Sequence, residues 1–254
     1  KHKNSENTAF TPDMLKDCPS VKIYNPTPPL KQTHHKLLII DNQWAVIGTG
    51  NLDKESFDGI TDSSGNLIEK PARDFLITVT NPDMIKKLSQ TFDADCEGKT
   101  SNPSHPQILW GPSPAQKKFF LDAIACAKHS IHIYQQSIQD GDVANALISA
   151  AEKGINVRII MSPFPFSKKN DPNIPNQERI RKAGGTIHLN NHLYIHAKVI
   201  IIDNKIMYIG SVNFYGPSFE SGRELGIITS DQRQIEEILN VFNQDSQNEQ
   251  KSSA

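Results

Sequence analysis

His34-His35-Lys36-Leu37-Leu38-Ile39-Ile40-Asp41 and His196-Ala197-Lys198-Val199-Ile200-Ile201-Ile202-Asp203 spell one pattern, His-x-Lys-x4-Asp, twice, 162 residues apart. The match runs without a gap over 34–51 and 196–213, through Asn42/Asn204, Ile47/Ile209, Gly48/Gly210 and Asn51/Asn213. Further on, Arg73-Asp74-Phe75 meets Arg223-Glu224-Leu225 at an offset of 150, so the first copy is the longer by 12 residues between Asn51 and Arg73. The polar run 61–66 is the natural place for the insertion. Self-similarity at a nearly fixed offset organises the chain before any element is assigned.

Around the second motif the pattern is a complete alternation of strands and helices. Ser113-Pro114 opens a helix to about residue 128. A strand over 130–134 follows, then a helix over 143–153 stopped by Gly154. Apolar, β-branched strands are expected at 155–161, 186–189, 194–203, 206–209 and 224–229, with helices over 177–182 and from 232 to about 243. Such alternation predicts an α/β fold: two similar lobes of mixed β-sheet flanked by helices. The expected division is 1–104 for a first lobe incomplete at its N-terminus, 105–245 for the second, and 246–254 for a disordered tail. The first motif has only 33 residues ahead of it, too few for the helices and strands that precede the second. A half-sheet lacking them would leave edge and core exposed.

Alternation along a strand puts His34 and Lys36 on one face, and His196 and Lys198 likewise. Two imidazoles and two ammonium groups around one cleft suit attack on a phosphate diester. One imidazole attacks phosphorus. The other protonates the leaving oxygen and then deprotonates the incoming water or alcohol. Lys36 and Lys198 neutralise the non-bridging oxygens, with Asn51 and Asn213 as further donors. Asp74 and Glu224 are matched acids able to orient the imidazoles. The lysines supply the positive charge, so this chemistry calls for no cofactor and no metal.

These residues resemble the phospholipase D superfamily, whose doubled motif continues to Gly48-Thr49-Gly50-Asn51 and Gly210-Ser211-Val212-Asn213. The resemblance covers nearly the whole chain. It implies a two-lobed α/β fold with the active site between lobes, His34 as nucleophile and His196 as acid and base. It also implies that Asp41 and Asp203 support structure more than chemistry. The substrate it implies is a phospholipid, cleaved by a phospholipase D; a cardiolipin-synthase-like phosphatidyltransferase is the second expectation, and peripheral membrane contact would accompany either. A nucleic-acid phosphodiesterase is less favoured: the chain has 27 basic and 28 acidic side chains and 7% aromatic residues, whereas nucleic-acid grooves want basic stripes and stacking faces. A non-catalytic piece of a longer chain is the alternative of another class.

The remaining signals are weaker. Two motifs in one chain make a monomer sufficient for the site. Three cysteines with no Cys-x-x-Cys argue against a disulfide framework. The polar start Lys1-His2-Lys3-Asn4, without an initiator Met, reads as a processed chain or a piece of a longer product, and leans toward secretion or export. His188, His192 and His196 recur every fourth residue, but Asn190-Asn191 reads as a turn and breaks the helix that zinc ligation at that spacing would need. Tyr194 lies two residues before His196 and is placed to line the cleft. Phe164 and Phe166, in a proline-rich loop, are read first as loop anchors and second as contacts for acyl chains or bases.

Overall fold

The computed structural model describes residues 19–62, 64–164 and 170–247. In the first repeat the elements are β1 (Gln32–Thr33), β2 (Lys36–Ile40), β3 (Trp44–Gly48), α1 (Lys54–Asp58), β4 (Ile60–Thr61), β5 (Leu67–Glu69), β6 (Ala72–Arg73), β7 (Leu76–Val79) and α2 (Pro82–Cys96). The second repeat begins with β8 (Ile108–Gly111), α3 (Pro114–Cys126), β9 (Ser130–Tyr134), α4 (Gly141–Glu152), β10 (Asn156–Met161), α5 (Ile174–Lys182) and β11 (Thr186–Leu189). It continues with β12 (Tyr194–Ile195), β13 (Val199–Ile202), β14 (Ile206–Gly210), α6 (Gly216–Glu220), β15 (Gly222–Thr229) and α7 (Gln232–Gln247).

Each motif builds the same hairpin. The two central turn residues take positive φ in both copies: Asp41 at 52° and Asn42 at 53°, Asp203 at 51° and Asn204 at 55°. Gln43 N–H donates to the Ile40 carbonyl and Lys205 N–H to that of Ile202, each at 2.9 Å. This is a type I′ turn, whose twist matches the strands it joins, and Asp and Asn are among the non-glycine residues that tolerate it. β2 pairs antiparallel with β3 and β3 with β7, just as β13 pairs antiparallel with β14 and β14 with β15.

The second repeat extends its sheet further. Beyond β13 come β9, antiparallel to it, then β10 and β11, parallel to β9; β8 lies antiparallel on β15. This sheet is mixed, as the strand–helix alternation implied. The first repeat's sheet has three strands and is wholly antiparallel, since among the described residues it holds only the hairpin and its return strand. The 12-residue excess is used by the small β4–β5 hairpin, whose Asp62 carboxylate accepts from the N–H groups of Ser64 and Asn66.

Two apolar layers result. One lies between the sheets: Ala45, Ile47, Ile77 and Val79 meet Val199, Ile201, Leu225 and Ile227, closed by Leu88 of α2 and Phe242 of α7. The other covers the far face of the large sheet, where Ile200, Ile202 and Tyr208 pack under Phe120 of α3 and Leu147 of α4. The first repeat has no such cover among the described residues. Leu38 and Ile40, the counterparts of Ile200 and Ile202, are 47% and 43% exposed, whereas Ile200 and Ile202 are 1% and 6% exposed; Trp44 and its counterpart Ile206 are exposed alike, at 50% and 45%. Full burial of one such side chain contributes about 1.5–3 kcal/mol, so this face forgoes such gains.

Two expectations are corrected. The strand expected over 194–203 is interrupted: β12 ends at Ile195 and β13 starts at Val199. The last helix runs past 243 to Gln247, because Asp245 and Ser246 are buried and bonded to Arg73, Tyr134 and Arg158; residues 246 and 247 therefore belong to the helix rather than to a tail. The rest of the expected tail, 248–254, lies outside the described residues, as does Phe166.

Candidate active site

Both histidines sit where the chain passes from one sheet to the other. β1, just before His34, pairs in parallel with Gly222 and Arg223 of β15. β12, just before His196, pairs in parallel with β6. The Arg223 carbonyl accepts the N–H groups of His34 and His35 at 3.0 and 2.9 Å, and the Arg73 carbonyl accepts those of His196 and Ala197 at 3.2 and 2.8 Å. Each histidine is thus hung on the opposite repeat. The interruption of the strand has this cause: residues 196–198 leave one partner strand and join another.

The side chains follow the same exchange. His34 Nδ1 lies 3.0 Å from both carboxylate oxygens of Glu224, and His196 Nδ1 lies 3.3 and 3.1 Å from those of Asp74. An ionised carboxylate only accepts, so Nδ1 donates in each pair. Nε2 of each ring is left as the nitrogen for substrate. The acids are held in turn: Thr49 Oγ1 donates to Asp74 at 2.7 Å, while Ser211 and Ser218 both donate to the fully buried Glu224. Gly50 is required by this packing, since a Cβ there would lie 2.1 Å from an Asp74 oxygen.

Lys36 and Lys198 reach back to the carbonyls of His34 and His196, and Lys198 also donates to the Thr49 carbonyl at 3.2 Å. Lys198 is fully buried, and desolvation, joined by the charge of Lys36, pulls its pKa down to about 7 against the raising effect of Asp74 and Glu224. Desolvation likewise brings Lys36 to about 8, with Glu224, Asp74 and Asp53 opposing. Burial, then the charge of Lys198, lowers His196 to about 4 despite Asp74. For Asp74 burial pushes upward, but the bond and charge of His196, the charge of Lys198 and the Thr49 hydroxyl outweigh it and leave the carboxyl below its usual value. Each lysine feels both acids, which places the two half-sites in one electrostatic centre.

The sequence-predicted residues divide. His34, Lys36, Asp74, His196, Lys198 and Glu224 converge. Asn213 is buried nearby with its Oδ1 unpartnered, and Asn51 is exposed and lines a pocket of about 190 Å³ with Gly50 and Asp74. Asp41 and Asp203 do not join them. They occupy the hairpin turns, five residues beyond the lysines, about 16 Å along an extended strand. Asp203 instead accepts from the N–H groups of Lys128, His129 and Ser130 at 2.7–3.2 Å. His35 packs edge-on against Trp110. The Tyr194 ring lies 5.7 Å from that of His196, as its place two residues upstream suggested. Sequence reasoning assigned no role to Thr49 and Ser211, though their matched positions in the doubled motif were a signal. Ser218 carried none, because its approach to Glu224 depends on the turn of α6.

A two-repeat α/β scaffold with paired histidines on exchanged carboxylates defines a phospholipase D-like phosphodiester centre. The chain belongs to the family described as cardiolipin synthase, PLD-like domain, whose pattern it matches over residues 5–96 and 120–246. It is 27% identical over 231 residues to cardiolipin synthase A of Pseudomonas syringae pv. syringae (strain B728a), covering 82% of this chain and 47% of that protein. It is 28% identical over 233 residues to cardiolipin synthase of Halalkalibacterium halodurans, covering 83% and 45%. The chain therefore spans about half the length of the curated relatives it matches. Among solved structures, the phospholipase D family member Nuc from Salmonella typhimurium superposes with a TM-score of 0.51 at 26% identity, over 56% of this chain and 93% of that one. Phosphatidylserine synthase of Haemophilus influenzae shares the fold alone, with a TM-score of 0.58 at 12% identity over 84% and 62%.

Proposed function

We propose that this chain carries a phosphatidyl-transferring centre acting through a phosphohistidine. The observation that supports it most directly is the commitment of both Nδ1 atoms to carboxylates, which leaves both Nε2 atoms to act on substrate beside two lysines that each feel both acids. One Nε2 attacks phosphorus, forming a P–N bond as the bond to the leaving oxygen breaks. The other ring gives its proton to that oxygen. It then takes a proton from the acceptor hydroxyl, whose oxygen attacks phosphorus and breaks the P–N bond. His34 remains the nucleophile by family analogy; its exchange of roles with His196 would leave this sequence of bonds unchanged.

A lipid substrate is favoured by the wall of the pocket at Asp74. Leu52, Phe57 and Leu76 line it beside Asn51 and are 69%, 64% and 57% exposed, an apolar surface for acyl chains next to the carboxylate that holds His196. Transfer rather than hydrolysis is favoured by the relatives, which are cardiolipin synthases. The test is incubation with phosphatidylglycerol vesicles in the presence of EDTA. Diphosphatidylglycerol and free glycerol are expected, and both should vanish in His34→Ala and His196→Ala. Phosphatidic acid instead would make the chain a hydrolase. Cleavage of bis(4-nitrophenyl) phosphate with no turnover of lipid would overturn the lipid reading.

A further inference from the structure

We propose that Asp245 and Asp95 are positioning residues for His196 and His34 respectively, each acting through the arginine that stands next to that ring's carboxylate partner. The proposal rests on the reading of His34 and His196 as the reactive pair. Arg73 precedes Asp74, and its carbonyl holds the backbone of His196; its guanidinium is gripped by Asp245 of α7, Nε to Oδ2 at 2.7 Å and Nη2 to Oδ1 at 2.9 Å. Arg223 precedes Glu224, and its carbonyl holds the backbone of His34; its guanidinium is gripped by Asp95 of α2, Nε to Oδ2 at 2.7 Å and Nη2 to Oδ1 at 2.8 Å. The 150-residue offset that relates the arginines also relates the aspartates. Each fork is bidentate, which fixes orientation as well as distance.

The two clamps are unequal. Arg223 is fully buried, lies over the Trp110 ring at 5.0 Å, and also donates to Asn102, to the Ser101 carbonyl at 2.8 Å and to the Gly111 carbonyl at 3.4 Å. Arg73 is 30% exposed at its side chain, and the hydrogen bonds resolved for its guanidinium go to Asp245. Asp245 is itself fixed by the Tyr134 hydroxyl at 2.7 Å. Losing Asp95 leaves Arg223 three other acceptors. Losing Asp245 frees Arg73, and with it the strand that sets Asp74 and the backbone of His196.

The experiment compares Asp245→Asn and Asp95→Asn in the full chain, with bis(4-nitrophenyl) phosphate as substrate and 15N spectra of the imidazoles assigned through His34→Ala and His196→Ala. Asp245→Asn is expected to lower kcat about 10²-fold with little change in KM, the loss typical of a reacting group displaced by about 1 Å. It should move the His196 resonances and leave those of His34. Asp95→Asn should act on His34 and act less. If Asp245→Asn does not fold, Arg73→Lys, which keeps the charge and loses the fork, carries the same expectation. Wild-type kcat with unmoved His196 resonances in a folded variant overturns the proposal, as does an equal disturbance of both histidines. Were the wild-type chain inactive on diesters, the functional reading would fall while the resonances still decided the positioning.

Discussion

Glu224→Gln isolates the charge that holds His34. The carboxylate is fully buried and accepts from His34 Nδ1 at 3.0 Å, from Ser218 at 2.7 Å and from Ser211. The amide keeps shape and volume, and its oxygen can still accept from Nδ1. What disappears is the negative charge facing a ring that becomes positive when it bears phosphorus or a proton. A hydrogen bond to a charged group is worth about 1.5–3 kcal/mol, and about 1.4 kcal/mol is a factor of ten in rate. The variant should therefore lose about 10- to 10²-fold in kcat on bis(4-nitrophenyl) phosphate. Circular dichroism and a melting curve establish that it is folded, since the amide also leaves one serine hydroxyl to turn and accept. A folded variant within about twofold of wild type would refute the role assigned to the exchanged carboxylate.

Three further predictions use the same geometry. Leu38→Ala and Ile200→Ala remove equivalent side chains of the two repeats, yet urea titration should show the first below about 1 kcal/mol and the second at about 2–5 kcal/mol, because Ile200 alone is packed under helices. Lys198→Met should cost about 10²- to 10³-fold in kcat and should also lower the melting temperature, because the carbonyls of Thr49 and His196 lose their buried donor. Activity should fall on the alkaline side, because Lys198 and Lys36 lose their charge above about 7 and about 8. Stability has its own sign. The folded pKa of His196, about 4, lies below the usual 6.5, so its contribution of about 3 kcal/mol is present above pH 6.5 and is lost as pH falls toward 4. His35 and His132, lowered to about 4 by burial and by Arg223 or Arg158, act in the same direction, and denaturant titrations between pH 7 and pH 4 measure the sum.

Spacing alone delivered the repeat, the apolar strand at the heart of each motif and six of the groups that converge. These are local or periodic properties: a β-branched run and a recurring offset are written along the chain. The sequence could pair Arg73-Asp74 with Arg223-Glu224 as equals, but not say that each serves the other repeat's histidine. That exchange follows from which strand β1 and β12 leave and which they join, a choice made by packing the two sheets face to face across Ala45, Ile47, Val199 and Ile201. It also explains why Asp41 and Asp203, as regular in the pattern as the lysines, lie a strand's length away. Burial decided the rest. Nothing in the letters separates Leu38 from Ile200; only the tertiary structure places Ile200 under α3 and α4 and sets Asp95, which the offset matches to Asp245, on the guanidinium of Arg223, whose carbonyl holds His34.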